Sequence, residues 1–141
     1  MNCCSRRTVL RRSGGVLTAG MAGIAGCLGG GGPPEPIVTM TSDLRFDPVE
    51  ITIEPGQQVT WENKSPAPHT ASAYEESLPE EAAYFASGGY ESERAVRQST
   101  SSRGFLERGE TYSHTFDIPG TYRYFCLPHE ENRMIGRVVV E

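Results

Sequence analysis

The chain has 141 residues, with 13 Lys and Arg against 18 Asp and Glu, a formal charge of −5, three His and four Cys. That balance speaks against nucleic acid as a partner, because phosphate binding needs clustered Lys and Arg. The length suits one domain built on one core.

At the N-terminus, Ser5-Arg6-Arg7-Thr8-Val9-Leu10-Arg11 is a twin-arginine pattern, followed by a Gly/Ala-rich apolar stretch that ends at Ile24-Ala25-Gly26-Cys27. This order reads as an export signal of the Tat type over residues 1–26. The stretch from Gly14 to Gly26 falls short of the roughly 20 apolar residues that span a bilayer. Small residues directly before a Cys resemble a lipobox, which implies cleavage before Cys27, lipidation of its thiol and an anchored protein. An ordinary cleavage site that happens to precede a Cys is the alternative. Cys3 and Cys4 leave with the signal, so Cys27 and Cys126 remain and no internal disulfide is expected. Losing the four arginines of the signal leaves 9 basic against 18 acidic residues, a charge of −9. Lys64 is the sole lysine, and this Glu-rich, Lys-poor balance looks like that of a secreted haloarchaeal protein.

Residues 27–36 run Cys27-Leu28-Gly29-Gly30-Gly31-Gly32-Pro33-Pro34-Glu35-Pro36, a tether with a reach of roughly 15–25 Å by random-coil scaling. Residues 37–141 form the folded domain. Val49, Ile51 and Ile53 alternate with Glu50, Thr52 and Glu54 as in a strand. Glu54-Pro55-Gly56-Gln57 has the residues of a type II turn, and alternation resumes through Gln58-Val59-Thr60-Trp61-Glu62.

From Tyr74 to Leu106 the chain does not alternate, and two short helices are predicted there, one capped by Ser77 and one over Ser92 to Gln98. The Glu75, Glu76, Glu80 and Glu81 cluster reads as a solvated acidic face. Tyr112, His114 and Phe116 share one face of a strand from Thr111 to Phe116, which makes His114 a packed, hydrogen-bonded histidine at the core edge. Asp117-Ile118-Pro119-Gly120 turns the chain into a strand over Thr121 to Cys126. Along it Tyr122, Tyr124 and Cys126 face inward, with the bulky aromatics expected to hold the thiol rotamer. Gly136 to Val140 is the last strand. Trp61, Phe46, Tyr122, Tyr124 and Met40 are predicted core.

Cys126-Leu127-Pro128-His129 and Met134 place a thiolate, an imidazole and a thioether in one short loop, and His69 in Pro66-Ala67-Pro68-His69 supplies a second imidazole. Two His, one Cys and a weak axial Met is the donor set of a blue copper centre, suited to Cu(I) and Cu(II) alike. A sandwich that gathers distant loops at one end would bring His69 to the others.

These residues resemble the cupredoxins of the plastocyanin and halocyanin-like group. The resemblance covers residues 40 to 141 and rests on Phe46-Asp47-Pro48, Ile51 to Gly56, Val59 to Asn63, Pro68-His69, Gly120 to Cys126 and the Cys126-x2-His129-x4-Met134-x-Gly136 spacing. It implies an all-β Greek-key β-sandwich with a short helical insertion between His69 and Cys126. It also implies one type 1 copper held by His69, Cys126, His129 and Met134, with His69 buried and the His129 edge passing the electron. Phe125 stands where the plant plastocyanins carry an outward-facing Tyr, and Thr70 where an Asn usually supplies a hydrogen bond to the ligand loop.

The sequence therefore predicts a monomeric, non-enzymatic single-electron carrier, lipid-anchored to the outer face of the cell membrane and working between membrane-bound donor and acceptor proteins. A copper-storage or copper-sensing lipoprotein without rapid electron transfer is the alternative. A dinuclear copper site would need a second Cys in the loop, and Leu127, Pro128 and Glu130 offer none.

Overall fold

The computed structural model describes residues 35–141. The export signal over 1–26, the lipidation of Cys27 and most of the 27–36 tether lie outside the described residues. Within them the chain forms β1 (Ile37–Met40), β2 (Phe46–Asp47), β3 (Glu50–Ile53), β4 (Gln57–Asn63), β5 (Ser72–Ala73), α1 (Glu93–Gln98), β6 (Thr111–Phe116), β7 (Gly120–Phe125) and β8 (Ile135–Val140). One sheet has the order β2-β1-β4-β6 and the other β3-β8-β7-β5. β1 runs parallel to β4 and β3 parallel to β8, while the remaining neighbours are antiparallel. This is the all-β sandwich expected, with its helical insertion between β5 and β6.

Strand alternation builds the interior. In β4, Val59 and Trp61 are fully buried while Gln58 is exposed, and Phe116, Tyr122 and Tyr124 supply the facing bulk. Trp61 stacks on Tyr112 at 5.5 Å and meets Tyr124 of the opposite sheet edge-on at 5.3 Å. Phe46 meets Tyr124 at 4.6 Å, and Met40 is buried among them. The insertion contributes to this core as well, since Phe85 is 2% exposed and lies 5.7 Å from Trp61. Alternation gives no signal for Phe85, because it sits outside any strand.

Two glycines answer specific demands. Gly56 takes φ 91° at the third position of its turn, where Gln57 N–H donates to the Glu54 carbonyl at 3.1 Å, as a type II turn requires. Gly136 sits opposite Tyr124 across β7 and β8, and a Cβ there would come within 2.5 Å of the Tyr124 hydroxyl. The phenol lies where a side chain would otherwise stand.

Several sequence expectations shift. Val49 precedes β3 and is 54% exposed rather than part of the inner face, its carbonyl accepting from Arg137 N–H. No helix begins at Ser77. A 3₁₀ turn over Glu75–Ser77 ends there instead, and the Ser77 hydroxyl is engaged by the Tyr74 carbonyl and the Arg123 N–H. The second helix forms as expected, with Ser92 Oγ accepting from Ala95 N–H at 3.0 Å. His114 packs between aromatics at the core edge, stacked on Phe85 and edge-on to Phe116, each 4.8 Å away between ring centres. Cys126 falls one residue beyond β7, still extended and fully buried.

Candidate metal centre

The hydrophobic pattern that ends β7 carries the thiol of Cys126 into the interior at one end of the sandwich. From there the chain makes a short 3₁₀ segment, Leu127–Asn132, started by Pro128 and closed by Arg133 in the left-handed region at φ 61°. Three backbone bonds tie this loop to itself: His129 N–H to Cys126 O at 3.1 Å, Met134 N–H to His129 O at 3.3 Å, and Cys126 N–H to Met134 O at 3.0 Å. Cys126, His129 and Met134 thus constrain one another through the main chain.

His69 arrives from the other direction, on the segment between β4 and β5. Its N–H donates to the Leu106 carbonyl at 3.2 Å and its carbonyl accepts from Leu106 N–H at 2.8 Å, which fastens it to the far end of the insertion. The ring is fully buried, and its Nε2 lies 2.8 Å from Ser65 Oγ. The Ser65 hydroxyl in turn donates to Ala67 O, and Asn63 Nδ2 donates to Ala67 O and Leu106 O. This buried network fixes Nε2 as the protonated nitrogen and leaves Nδ1 free as a donor to a metal.

His69 Nδ1, His129 Nδ1 and Cys126 Sγ converge. They are separated by 3.1 Å between the two nitrogens, 3.3 Å from His129 to sulfur and 3.6 Å from His69 to sulfur. A triangle with those sides has a circumradius of about 1.9 Å, close to the roughly 2.0–2.3 Å of metal–nitrogen and metal–sulfur bonds. The geometry therefore fits one ion, and the donor set of one soft sulfur and two imidazoles fits copper. Among the described residues this is the single such group of His, Cys and acidic side chains. Met134 is fully buried in the same core cluster as Cys126.

Thr70 is the functional residue that sequence reasoning left open. Its N–H points at Cys126 Sγ from 3.4 Å, and its hydroxyl accepts from Leu127 N–H at 2.8 Å. The hydrogen bond to the ligand loop is thus present with Thr in place of Asn. Thr70 adds a hydrogen bond to the sulfur of a Cys126 that is buried in the same core cluster as Tyr122 and Tyr124. Ser65 and Asn63 were not singled out from sequence, and their only signal was polar residues close before His69.

Burial and the neighbouring His129 imidazole lower His69 from 6.5 to about 4, and burial lowers His129 and His114 in the same direction. Burial raises the Cys126 thiol, so the copper-free site holds neutral groups. Each histidine then takes up a proton more readily in the unfolded chain. The His69 contribution to stability is complete above about pH 6.5 and lost as pH falls toward about 4, and those of His129 and His114 are lost in the same direction on acidification. The thermal midpoint of copper-free protein is expected to fall between about pH 7 and pH 4.5, less steeply in His69→Gln. A midpoint that rises on acidification would contradict this.

A β-sandwich with one thiol and two imidazoles converging at its end defines a cupredoxin, a protein that carries electrons on one type 1 copper. Residues 37–141 match the family described as copper binding proteins, plastocyanin/azurin family. The chain belongs to that family. It is 36% identical over 99 residues to a plastocyanin of Scenedesmus fuscus, covering 70% of this chain and 88% of that protein. It is 28% identical over 135 residues to the chloroplastic plastocyanin of Oryza sativa subsp. indica, covering 95% and 80%. Among solved structures, an amicyanin variant in its Cu(I) form superposes with a TM-score of 0.56 at 26% identity, covering 78% of this chain and 85% of the other.

Proposed function

We propose that His69, Cys126, His129 and Met134 hold the copper and that the protein is a single-electron carrier, not an enzyme, tethered by a lipid on Cys27 to the outer face of the cell membrane. The observation that carries this reading is the asymmetry of the two imidazoles around a preformed donor triangle. His69 is sealed inside and fixed by Ser65, whereas His129 is only partly buried. Copper bound there supplies a one-electron couple between Cu(I) and Cu(II).

The chain's own residues supply the rest. The loop's three internal backbone bonds and the contacts of Thr70 keep the donor atoms in place. Preorganisation of this kind reduces the rearrangement that accompanies a change of charge. The partners on this reading are membrane-bound redox proteins, because the twin-arginine start and Ile24-Ala25-Gly26-Cys27 favour export and anchoring.

The test uses protein recovered from native membranes. Its intact mass is expected to correspond to a chain beginning at Cys27 with a lipid increment, and its copper is expected to be reduced and reoxidised rapidly by the membrane fraction. A mass without lipid would overturn the anchor. Slow or absent exchange in copper-loaded protein would favour storage or sensing.

A further inference from the structure

The insertion does more than extend the sandwich, because its helix α1 reaches the ligand loop through one side chain. Arg97 sets its guanidinium fork on Glu130, with Nη1 to Oε1 at 2.8 Å and Nη2 to Oε2 at 3.0 Å. Tyr74 donates its hydroxyl to the same Glu130 Oε2 at 2.6 Å. Arg97 Nε is held by Glu93 at 2.8 Å, and the guanidinium lies 4.5 Å from the centre of the Phe125 ring, which Tyr74 covers from 4.6 Å. The base of this arm is fixed too: Glu93 N–H donates to Glu75 Oε1 at 2.8 Å and Glu75 N–H donates to Glu93 Oε1 at 3.0 Å.

The positions gripped are informative. Glu130 directly follows His129, and Phe125 directly precedes Cys126. One cluster therefore holds both flanks of the segment that delivers the thiol and the outer imidazole. Arg97 and Glu130 keep 38% and 26% of their side-chain surface exposed, and ion pairs in that setting add little to global stability. What a planar two-bond fork does supply is direction, since it fixes distance and twist together.

We propose that Arg97 is a positioning residue that presets the His129 loop from the insertion before copper enters, so that the loop keeps one geometry through the redox cycle. Presetting is a property of the copper-free chain. The benefit to electron exchange rests on the copper reading above.

The experiment measures amide hydrogen exchange at His129, Arg133 and Met134 in the full copper-free protein, and electron self-exchange with the copper hyperfine splitting in the loaded protein. In Arg97→Gln these amides are expected to exchange at least about 10-fold faster while the thermal midpoint moves by no more than about 5 °C. Self-exchange is expected to slow several-fold, with an altered hyperfine splitting. Arg97→Lys is expected not to restore either, because an ammonium offers no fork. Tyr74→Phe keeps the ring on Phe125 and removes only the hydroxyl, so a smaller loss in the same direction is expected. Unchanged loop amides in both Arg97→Gln and Tyr74→Phe would overturn the proposal. Loosened amides with unchanged self-exchange and hyperfine splitting would overturn its redox half. Failure of the wild-type protein to take up copper would instead overturn the function proposed above, and the amide measurement would still decide the brace.

Discussion

Replacing Cys126 by serine is expected to abolish the intense visible absorption of the oxidised, copper-loaded protein while leaving the sandwich folded. The colour and the strong electronic coupling of a His₂Cys site come from the metal–thiolate bond, and a serine hydroxyl is not deprotonated at neutral pH. The scaffold has little reason to fail. The thiol is a free cysteine in a buried position, with Thr70 N–H and two imidazole nitrogens around it, and each of these can pair with a hydroxyl. Copper affinity is expected to fall by more than the roughly 10–100-fold that losing an outer hydrogen bond to a metal ligand costs. Absorption spectra and copper titration of the folded variant check both. A blue Cys126→Ser protein would remove the thiolate from the site and with it the electron-carrier reading.

Much of this centre is legible in the sequence alone. The Cys126, His129 and Met134 spacing is short enough for one loop, so local sequence sufficed, and the periodicity of Tyr122, Tyr124 and Cys126 pointed the thiol inward. His69 needed more, because its 57-residue separation from Cys126 is bridged only by the fold. What sequence could not give were contacts with no period. Phe85 enters the core from an irregular stretch. Ser65 orients His69 across four positions of a Pro-rich turn, and Arg97 reaches Glu130 over 33 residues. Val49 misled because alternation continues one residue before the start of β3: its carbonyl still accepts from Arg137 N–H of β8, but its side chain is 54% exposed. Ser77 misled because a cap-like residue can spend its hydroxyl on a neighbouring strand, here Arg123 of β7. Phe125 reads as outward by alternation, yet it is fully buried because Tyr74 and Arg97 cover the outer face of the sheet.

Trp61→Ala is expected to have the opposite signature to Cys126→Ser. Trp61 is fully buried and touches Tyr112 and Phe116 on its own sheet, Tyr124 on the other and Phe85 from the insertion, so its loss opens a cavity where all three parts meet. Large aromatic deletions of this kind cost about 3–5 kcal/mol, a substantial share of the roughly 5–15 kcal/mol that holds a domain together. At about 4–8 °C per kcal/mol for a domain near 100 residues, the copper-free thermal midpoint should fall by at least about 12 °C. The copper site is spared, because none of the hydrogen bonds to His69, Cys126 or His129 involves Trp61. The folded fraction is therefore expected to bind copper and keep its colour. Ligand binding to the folded state alone raises stability by mass action, so adding copper should recover part of the lost midpoint. Thermal melts with and without copper read this directly. A variant that melts like the wild type would show that the aromatic cluster does not carry the fold. One that is folded but colourless would show that Trp61 shapes the donor triangle itself, coupling core and site in a way the separate hydrogen-bond networks do not require.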